Sequence, residues 1–517
     1  MIFKKLITLK PLTKFLLVGT SAGAGYTAYT VDSPEDLRQL GIFRFGRAAK
    51  TVGKIVIDYK TSLRGLPEPS AEYDDAIQKC HQRSAEHLLE LACANGGVFI
   101  KVGQHISGME YLIPPEYTQT LSILTSQAPQ ASKEDVIYVV ETELKAKVDD
   151  IFSEFSEKPV GAASLAQVHV AKLKETGETV AVKVQHKRVY KNSRTDVNTM
   201  ELLVNIADAI FPEFRLMWLI EEIKKNLPNE LDFLHEAKNA DEAAARFKHL
   251  KFLRIPKINY ELTTKRVLTM EYCEGAHVDD VEYLKKHKID PHDVCVKIGR
   301  TISEMIFLQG YLHSDPHPGN VLINSKGGGK YEIVLLDHGL YLNISDHIRK
   351  LYSDLWLAIL KPDLQEIRKV ASQMGVGELY GLFACMVTRR SWKSVTGGIG
   401  KSKMNESEKD ELRMYASSLI PQISEVLSRM PREMLLILKT NDLMRNIEHK
   451  LGVFGSSDCH LEVRKMSRCV IRSSHEMAIR RAHNPLAKLR IGFRMYWSLL
   501  KIFVYQYYLR FVNSSSL

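Results

Sequence analysis

The chain has 517 residues, 45% of them hydrophobic and 26% charged, which excludes a disordered chain and allows two to four domains with a large core. The net charge of +10 suits an anionic membrane surface or nucleotide phosphates, and with no Arg-rich tract interleaved with aromatics, nucleic acid is not expected as a partner. Seven scattered cysteines with no C-x-x-C exclude a zinc module or disulfide scaffold and read as free thiols.

Residues 1–32 read as a targeting segment. The first 31 contain no Asp or Glu but carry Lys4, Lys5, Lys10 and Lys14, and the apolar run Phe15–Val31 follows. The pattern predicts a mitochondrial presequence, with or without a retained anchor; a secretory signal anchor is the competing reading. The 17-residue run is at the short end for a membrane span.

Residues 33–155 are helical in pattern. In SKEDVIYVVETEL, Ser132 is the expected N-cap, with Val136, Val139, Val140 and Leu144 on one face. The character changes at Pro159, and residues 156–275 form the next expected unit. PVGAASLAQVHVAKLKETGETVAVKVQ reads as three short strands, the last two joined by Glu175-Thr176-Gly177-Glu178. Period two sends Val180, Val182 and Val184 into a core and places Ala181 with Lys183 on the opposite face. ELDFLHEAKNA then reads as a helix and RVLTMEY as a strand.

Residues 276–450 are mainly helical, apart from a hairpin of NVLIN and YEIVLLD around SKGGGK. Residues 451–517 form a basic, aromatic tail, in which Arg494, Lys501, Gln506 and Arg510 interrupt the apolar residues of 491–512. A packing helix or an interfacial helix fits it better than a span. A small sheet-containing lobe followed by a helical lobe is an α+β arrangement.

Phosphoryl transfer needs a charged clamp on the phosphates, oxygen ligands for a metal and a group that positions the acceptor. Lys183 of VAVK is the expected clamp, beside Ala181, whose small side chain leaves room for a flat base. Its expected carboxylate partner is Glu236, with Glu230 as the alternative. In GYLHSDPHPGNVLI, Pro316 forces Asp315 out of helical conformation and Pro318-Gly319 returns the chain so that Asn320 lies beside it. Asp337, at the end of an apolar strand, joins Asn320 as a candidate ligand for Mg2+, and Asp315 is placed at the acceptor or a water. A metallohydrolase built on His313, Asp315, His317 and His338 explains neither VAVK nor Asn320.

These motifs together resemble those of the UbiB/aarF-domain atypical kinase-like family over about residues 33–450. The carriers are Lys101-Val102-Gly103-Gln104 (K-x-G-Q), the alanine-rich loop from Gly161 to His169, Val180–Lys183, Glu230-Leu231-Asp232 (E-x-D), His313–Asn320, Asp337-His338-Gly339 and LLILKTNDLMR at 435–445. The resemblance implies a protein-kinase-like bilobal fold with a helical extension whose K-x-G-Q helix occupies the space a peptide substrate needs. Lys101 and Gln104, three apart, share a helix face. Glu230 and Asp232 then become the expected partners of Lys101, leaving Glu236 to Lys183.

The phosphate loop Gly161-Ala162-Ala163-Ser164 lacks the usual glycines and differs from the family's Ala-Ala-Ala-Ser at Gly161. His338 stands where D-F-G has Phe, and no A-P-E follows. The resulting expectation is a membrane-associated mitochondrial kinase or ATPase using ATP and Mg2+ on a lipid or other small molecule. Met270, Glu271, Tyr272 and Cys273 are expected to form the hinge beside adenine. The rivals are a nucleotide-responsive pseudokinase scaffold and a protein Ser/Thr kinase.

Overall fold

The computed structural model describes residues 41–67, 70–108, 113–125, 130–210, 217–314, 317–398, 408, 420–453 and, with short breaks, 468–500. The expectations for residues 1–32, for Asp315 with Pro316, and for 501–512 fall outside the described residues.

Four helices open the structure: Gly41–Ser62, Ala71–Asn95, Val98–Ser107 and Pro115–Leu121. The second begins at Ser70, whose hydroxyl accepts from the Tyr73 N–H. Gly96 and Gly97, at φ of 65° and 56°, break it from the third. Val98, Phe99, Ile100, Leu121 and Leu124 share one core with Val197, Met200, Leu219 and Ile223. The extension is therefore built onto the helices Val189–Ile210 and Met217–Glu230 that follow the sheet. Arg44, buried, holds Asp196 through two nitrogens at 2.8 and 2.5 Å, a bidentate pair across the same seam.

The small lobe is a five-stranded antiparallel sheet. Its order is β1 (Phe152–Phe155), β3 (Ala166–Leu173), β4 (Thr179–Gln185) and β6 (Val267–Glu271), with β2 (Gly161–Ala162) hydrogen-bonded to β3. Val180, Val182 and Val184 enter the core, each burial contributing roughly 1.5–3 kcal/mol. They meet Val136, Val139 and Val140 of the helix Lys133–Leu144, which Ser132 caps through its hydroxyl. That helix and strand β1 belong to the sheet's core, so the helical pattern expected through residue 155 ends earlier. Phe155 pairs with Ala171 of β3, a cross-strand contact invisible to local periodicity. On the sheet's other face, Phe233 and Ala237 of the helix Phe233–Phe247 pack on Ala166 and Leu268.

The larger lobe gathers its helices around one core that includes Phe307, Tyr352, Trp356 and Phe383. A four-stranded sheet, ordered β5 (Leu253–Arg254), β10 (Lys330–Leu335), β9 (Val321–Gly327) and β7 (Ala276–His277), lies at its top. Strands β9 and β10 form the expected hairpin, and the tight turn falls on Gly328 and Gly329, both at positive φ. The helix Pro291–Ser303 buries Ile298 and Ile302 and continues through Glu304–Gln309, with Met305 and Ile306 buried, as a π-helix before Gly310 closes it in left-handed conformation. Such widened turns collect next to functional sites. Here it delivers the chain to β8 (Tyr311–His313), paired with β11 (Tyr341–Asn343).

Candidate active site

Strand β4 is the floor of the site. Ala181 pairs with Met270 and Lys183 with Leu268, so alternate β4 residues face the cleft between the lobes. The Lys183 ammonium donates to both Glu236 oxygens at 2.7 and 2.9 Å, lies 3.6 Å from Asp337 Oδ2 and sits 5.3 Å from the Phe233 ring centroid. Glu236 is only 3% exposed. Burial opposes charge on Lys183, but Asp337 and Glu236 outweigh it and raise the ammonium to about 12. Burial likewise opposes ionisation of Asp337, yet Lys183 and the Gly339 N–H, which donates at 2.9 Å, hold its carboxyl at about 2. Burial raises the Glu236 carboxyl above its ordinary value against the pull of Lys183, so the centre sets a fixed cation between the ionised Asp337 and a Glu236 that depends on Lys183 for its charge.

Asp232 explains why Glu236 arrives here. Its carboxylate accepts from the Leu234 N–H at 3.1 Å and caps the helix that carries Glu236 one turn later. Of the two partners expected for Lys101, Glu230 makes the ion pair, at 2.7 Å with both side chains largely buried. Asp232 is spent on the cap. Gln104 donates to the Leu124 carbonyl at 2.9 Å, bracing the extension against itself, while Lys101 points into the cleft near enough to act on Lys183 and Asp337. Gly103 between them is a packing requirement: a Cβ there would lie 2.4 Å from Leu124 Cδ1.

The loop Gly161-Ala162-Ala163-Ser164 lines the cleft and is tied down. Gly161 and Ala162 pair with Val168 and Gln167, the Ala163 N–H donates to Ala166, and His186 Nε2 donates to the Ala163 carbonyl at 3.1 Å. Nothing lies within 4 Å of a Cβ placed on Gly161, so the departure from the alanine pattern changes little.

Met270, Glu271, Tyr272 and Cys273 all line the cleft at the end of β6. The Glu271 carboxylate is taken by Arg254, and its N–H donates to the Lys257 carbonyl at 2.8 Å. These contacts fix Glu271 in place, with Met270, Tyr272 and Cys273 lining the cleft beside it. Burial, reinforced by Glu271, pushes the Cys273 thiol up to about 11. Gly275, at φ of 150°, lets the chain pass Ile323, whose carbonyl oxygen would be 2.6 Å from a Cβ; sequence reading missed it because the contact is non-local.

Asn320 and Asp337 line the same cleft and are tied together through the backbone, the Leu336 N–H donating to the Asn320 carbonyl at 2.9 Å. The histidines of GYLHSDPHPGNVLI brace this arrangement. His313 Nε2 donates to the Asp337 carbonyl, and His317 Nδ1 accepts from the Gly319 N–H at 3.0 Å. His338 Nε2 donates to the Leu335 carbonyl at 3.0 Å while its Nδ1 accepts from Tyr341 at 2.9 Å, and burial holds its basicity down to about 3. Tyr341 stacks on Tyr311 and His338, a support that no motif announces. Among the described residues no group of three His, Cys, Asp or Glu is placed to hold a metal; Asp315, which the metallohydrolase reading also needs, lies outside them.

Comparisons with known proteins agree with this geometry. The ABC1 atypical kinase-like domain matches residues 123–371. "AarF domain-containing protein kinase 1" of Gallus gallus is 46% identical over 92% of this chain and 91% of its own. "AarF domain-containing kinase 1" of Drosophila melanogaster is 46% identical over 95% of both chains. The "ABC1 family protein MCP2 homolog" of Schizosaccharomyces pombe is 39% identical over 76% of this chain and 72% of its own. With a sheet lobe, a helical lobe and a Lys183–Glu236 pair between them, the chain belongs to the ABC1/AarF family of atypical kinase-like proteins.

Proposed function

We propose that this chain is an atypical kinase or ATPase that binds ATP with Mg2+ and acts on a lipid or other small molecule at a mitochondrial membrane. The observation that carries the reading is Lys183, held by Glu236 and 3.6 Å from Asp337 in the interlobe cleft. The residues fit a magnesium nucleotide: Asn320 offers an amide oxygen and Asp337 a carboxylate on one wall, opposite a fixed ammonium. When bound, the metal neutralises phosphate charge. Lys183 clamps the phosphates, Glu236 keeps Lys183 in place, and Ala181 with Met270, Tyr272 and Cys273 frames the base. Asp315 positions the acceptor in this reading.

Two features favour a small acceptor over a peptide. Between Asp337 and the helix that starts at Asp346 there is room only for the three-residue strand β11, so no long activation segment offers a peptide platform. The cleft, at 2830 Å³, exceeds the ~300–1,000 Å³ of an ordinary ligand site and leaves room beside a nucleotide, and its lining includes the apolar Leu379, Leu382, Met386, Trp392 and Ile423 together with charged groups such as Arg389 and Asp442, a mixture that suits an amphipathic acceptor. The acid-free N-terminal segment supports the mitochondrial placement.

The Lys101–Glu230 contact favours a second reading, a nucleotide-responsive scaffold whose covered cleft serves partner binding. Label from γ-labelled ATP separates the two. Its release or its transfer to a lipid extract, lost in Asp315→Asn, supports the enzyme; nucleotide binding with neither supports the scaffold.

A further inference from the structure

The charge of +10 is not spread along the chain. Residues 1–31 carry four lysines and no acid, residues 477–517 carry seven Lys and Arg and no acid, and residues 32–476 are therefore left at −1. The second basic end also holds the most exposed large apolar side chains of the described structure. Residues 485–486, 488–497 and 500 are helical. Leu486, Leu489, Phe493, Tyr496 and Leu500 succeed one another by three or four residues, each between 49% and 74% exposed. That spacing gathers them on roughly a quarter of the helix circumference. Ile491 and Met495, on the opposite side, are partly buried, while Arg490 and Arg494 border the stripe and are exposed. A tail helix packed for stability would turn its richer apolar face inward; this one turns it to solvent.

We propose that this helix docks in the plane of an anionic lipid surface, its Leu/Phe/Tyr stripe entering the acyl boundary and its arginines meeting the headgroups. The charge decides the occupant. A second copy of the stripe would bring acid-free, cationic helices together with no carboxylate to pair Arg490 or Arg494. An anionic leaflet supplies that counter-charge, and Tyr and Arg suit the interface. Docking is in-plane, because a span would carry Arg490 and Arg494 into the hydrocarbon, whereas an in-plane helix leaves them at the headgroups. The proposal does not rest on the nucleotide reading.

Trp497, 51% exposed on the same helix, gives a local probe. Full-length protein is mixed with brominated phosphatidylcholine vesicles, with and without phosphatidylglycerol, and Trp497 quenching is read as wild type minus Trp497→Phe. Such a difference is blind to insertion of the N-terminal segment. Quenching is expected on phosphatidylglycerol vesicles, weaker without it, and lost in Leu489→Ser/Phe493→Ser with an unchanged unfolding transition. Arg490→Gln/Arg494→Gln is expected to bind the anionic vesicles roughly thirtyfold more weakly. No Trp497 quenching, or quenching unchanged in the serine variant, overturns the proposal. So does a dimer that the serine variant dissolves, which assigns the stripe to a second copy.

Discussion

Lys101 and Glu230 join at 2.7 Å across the mouth of the cleft, one from the extension and the other from the last turn of the helix Met217–Glu230. The pair is mostly shielded from water, so it latches the extension over the site more firmly than a surface bridge would. Lys101→Ala is expected to cost about 2 kcal/mol and to gain autophosphorylation or peptide phosphorylation with Mg–ATP. Urea unfolding and a label-transfer assay measure the two effects. A variant that loses stability but gains no transfer would remove the covering role assigned to this helix.

At the centre of the site the energetics are asymmetric. Lys183→Met strands the Glu236 carboxylate, 3% exposed, beside Asp337, and is expected to destabilise the fold by about 3–5 kcal/mol. Lys183→Met/Glu236→Gln removes both charges and is expected to recover most of that loss. Both variants are expected to lose nucleotide binding. Equal destabilisation of the single and double variants, by urea titration, would show that the pair is not coupled.

Two glycines at the cleft are expected to respond in opposite ways to alanine. Gly275→Ala forces a positive φ and a contact on the Ile323 carbonyl, costing about 2 kcal/mol or more. Gly161→Ala meets open space and is expected to stay within about 0.5 kcal/mol of wild type, with Mg–ATP affinity unchanged. Thermal melts of the two variants side by side decide this.

Cys273 titrates late. With its thiol at about 11, the reactive thiolate is scarce at neutral pH and grows about tenfold per pH unit as pH rises toward that value. Alkylation of Cys273, followed by mass spectrometry, is expected to be slow near neutrality, to accelerate steeply in alkali and to be suppressed by Mg–ATP. A rate that levels off near pH 8 would place the thiolate outside the buried setting described.

Much of the site was legible because its signals are local. The alternation of Val180, Val182 and Val184 fixed which face Lys183 takes, and Ser132 and Asp337 sit at element ends marked by their neighbours. The choice between Glu236 and Glu230 was resolved only through the motif resemblance. What stayed hidden depends on partners far away in sequence. Strand β1 exists because Phe155 meets Ala171, the need for Gly275 comes from Ile323, and the π-helix at 304–309 keeps an ordinary apolar stripe while changing its hydrogen bonds. Asp232 reads as an acid of a motif; only the backbone angle that leads into Phe233 makes it a cap.

Binding of a magnesium nucleotide through Asp337 is open to a decisive test by thermal unfolding with Mg–ATP. A ligand at a hundredfold above its Kd stabilises the native state by about 2.7 kcal/mol. The account predicts a clear rise in the unfolding temperature of the wild type with millimolar Mg–ATP, reduced when EDTA removes the metal and reduced to the same level in Asp337→Asn. No rise in the wild type, or an undiminished rise in Asp337→Asn, would contradict it.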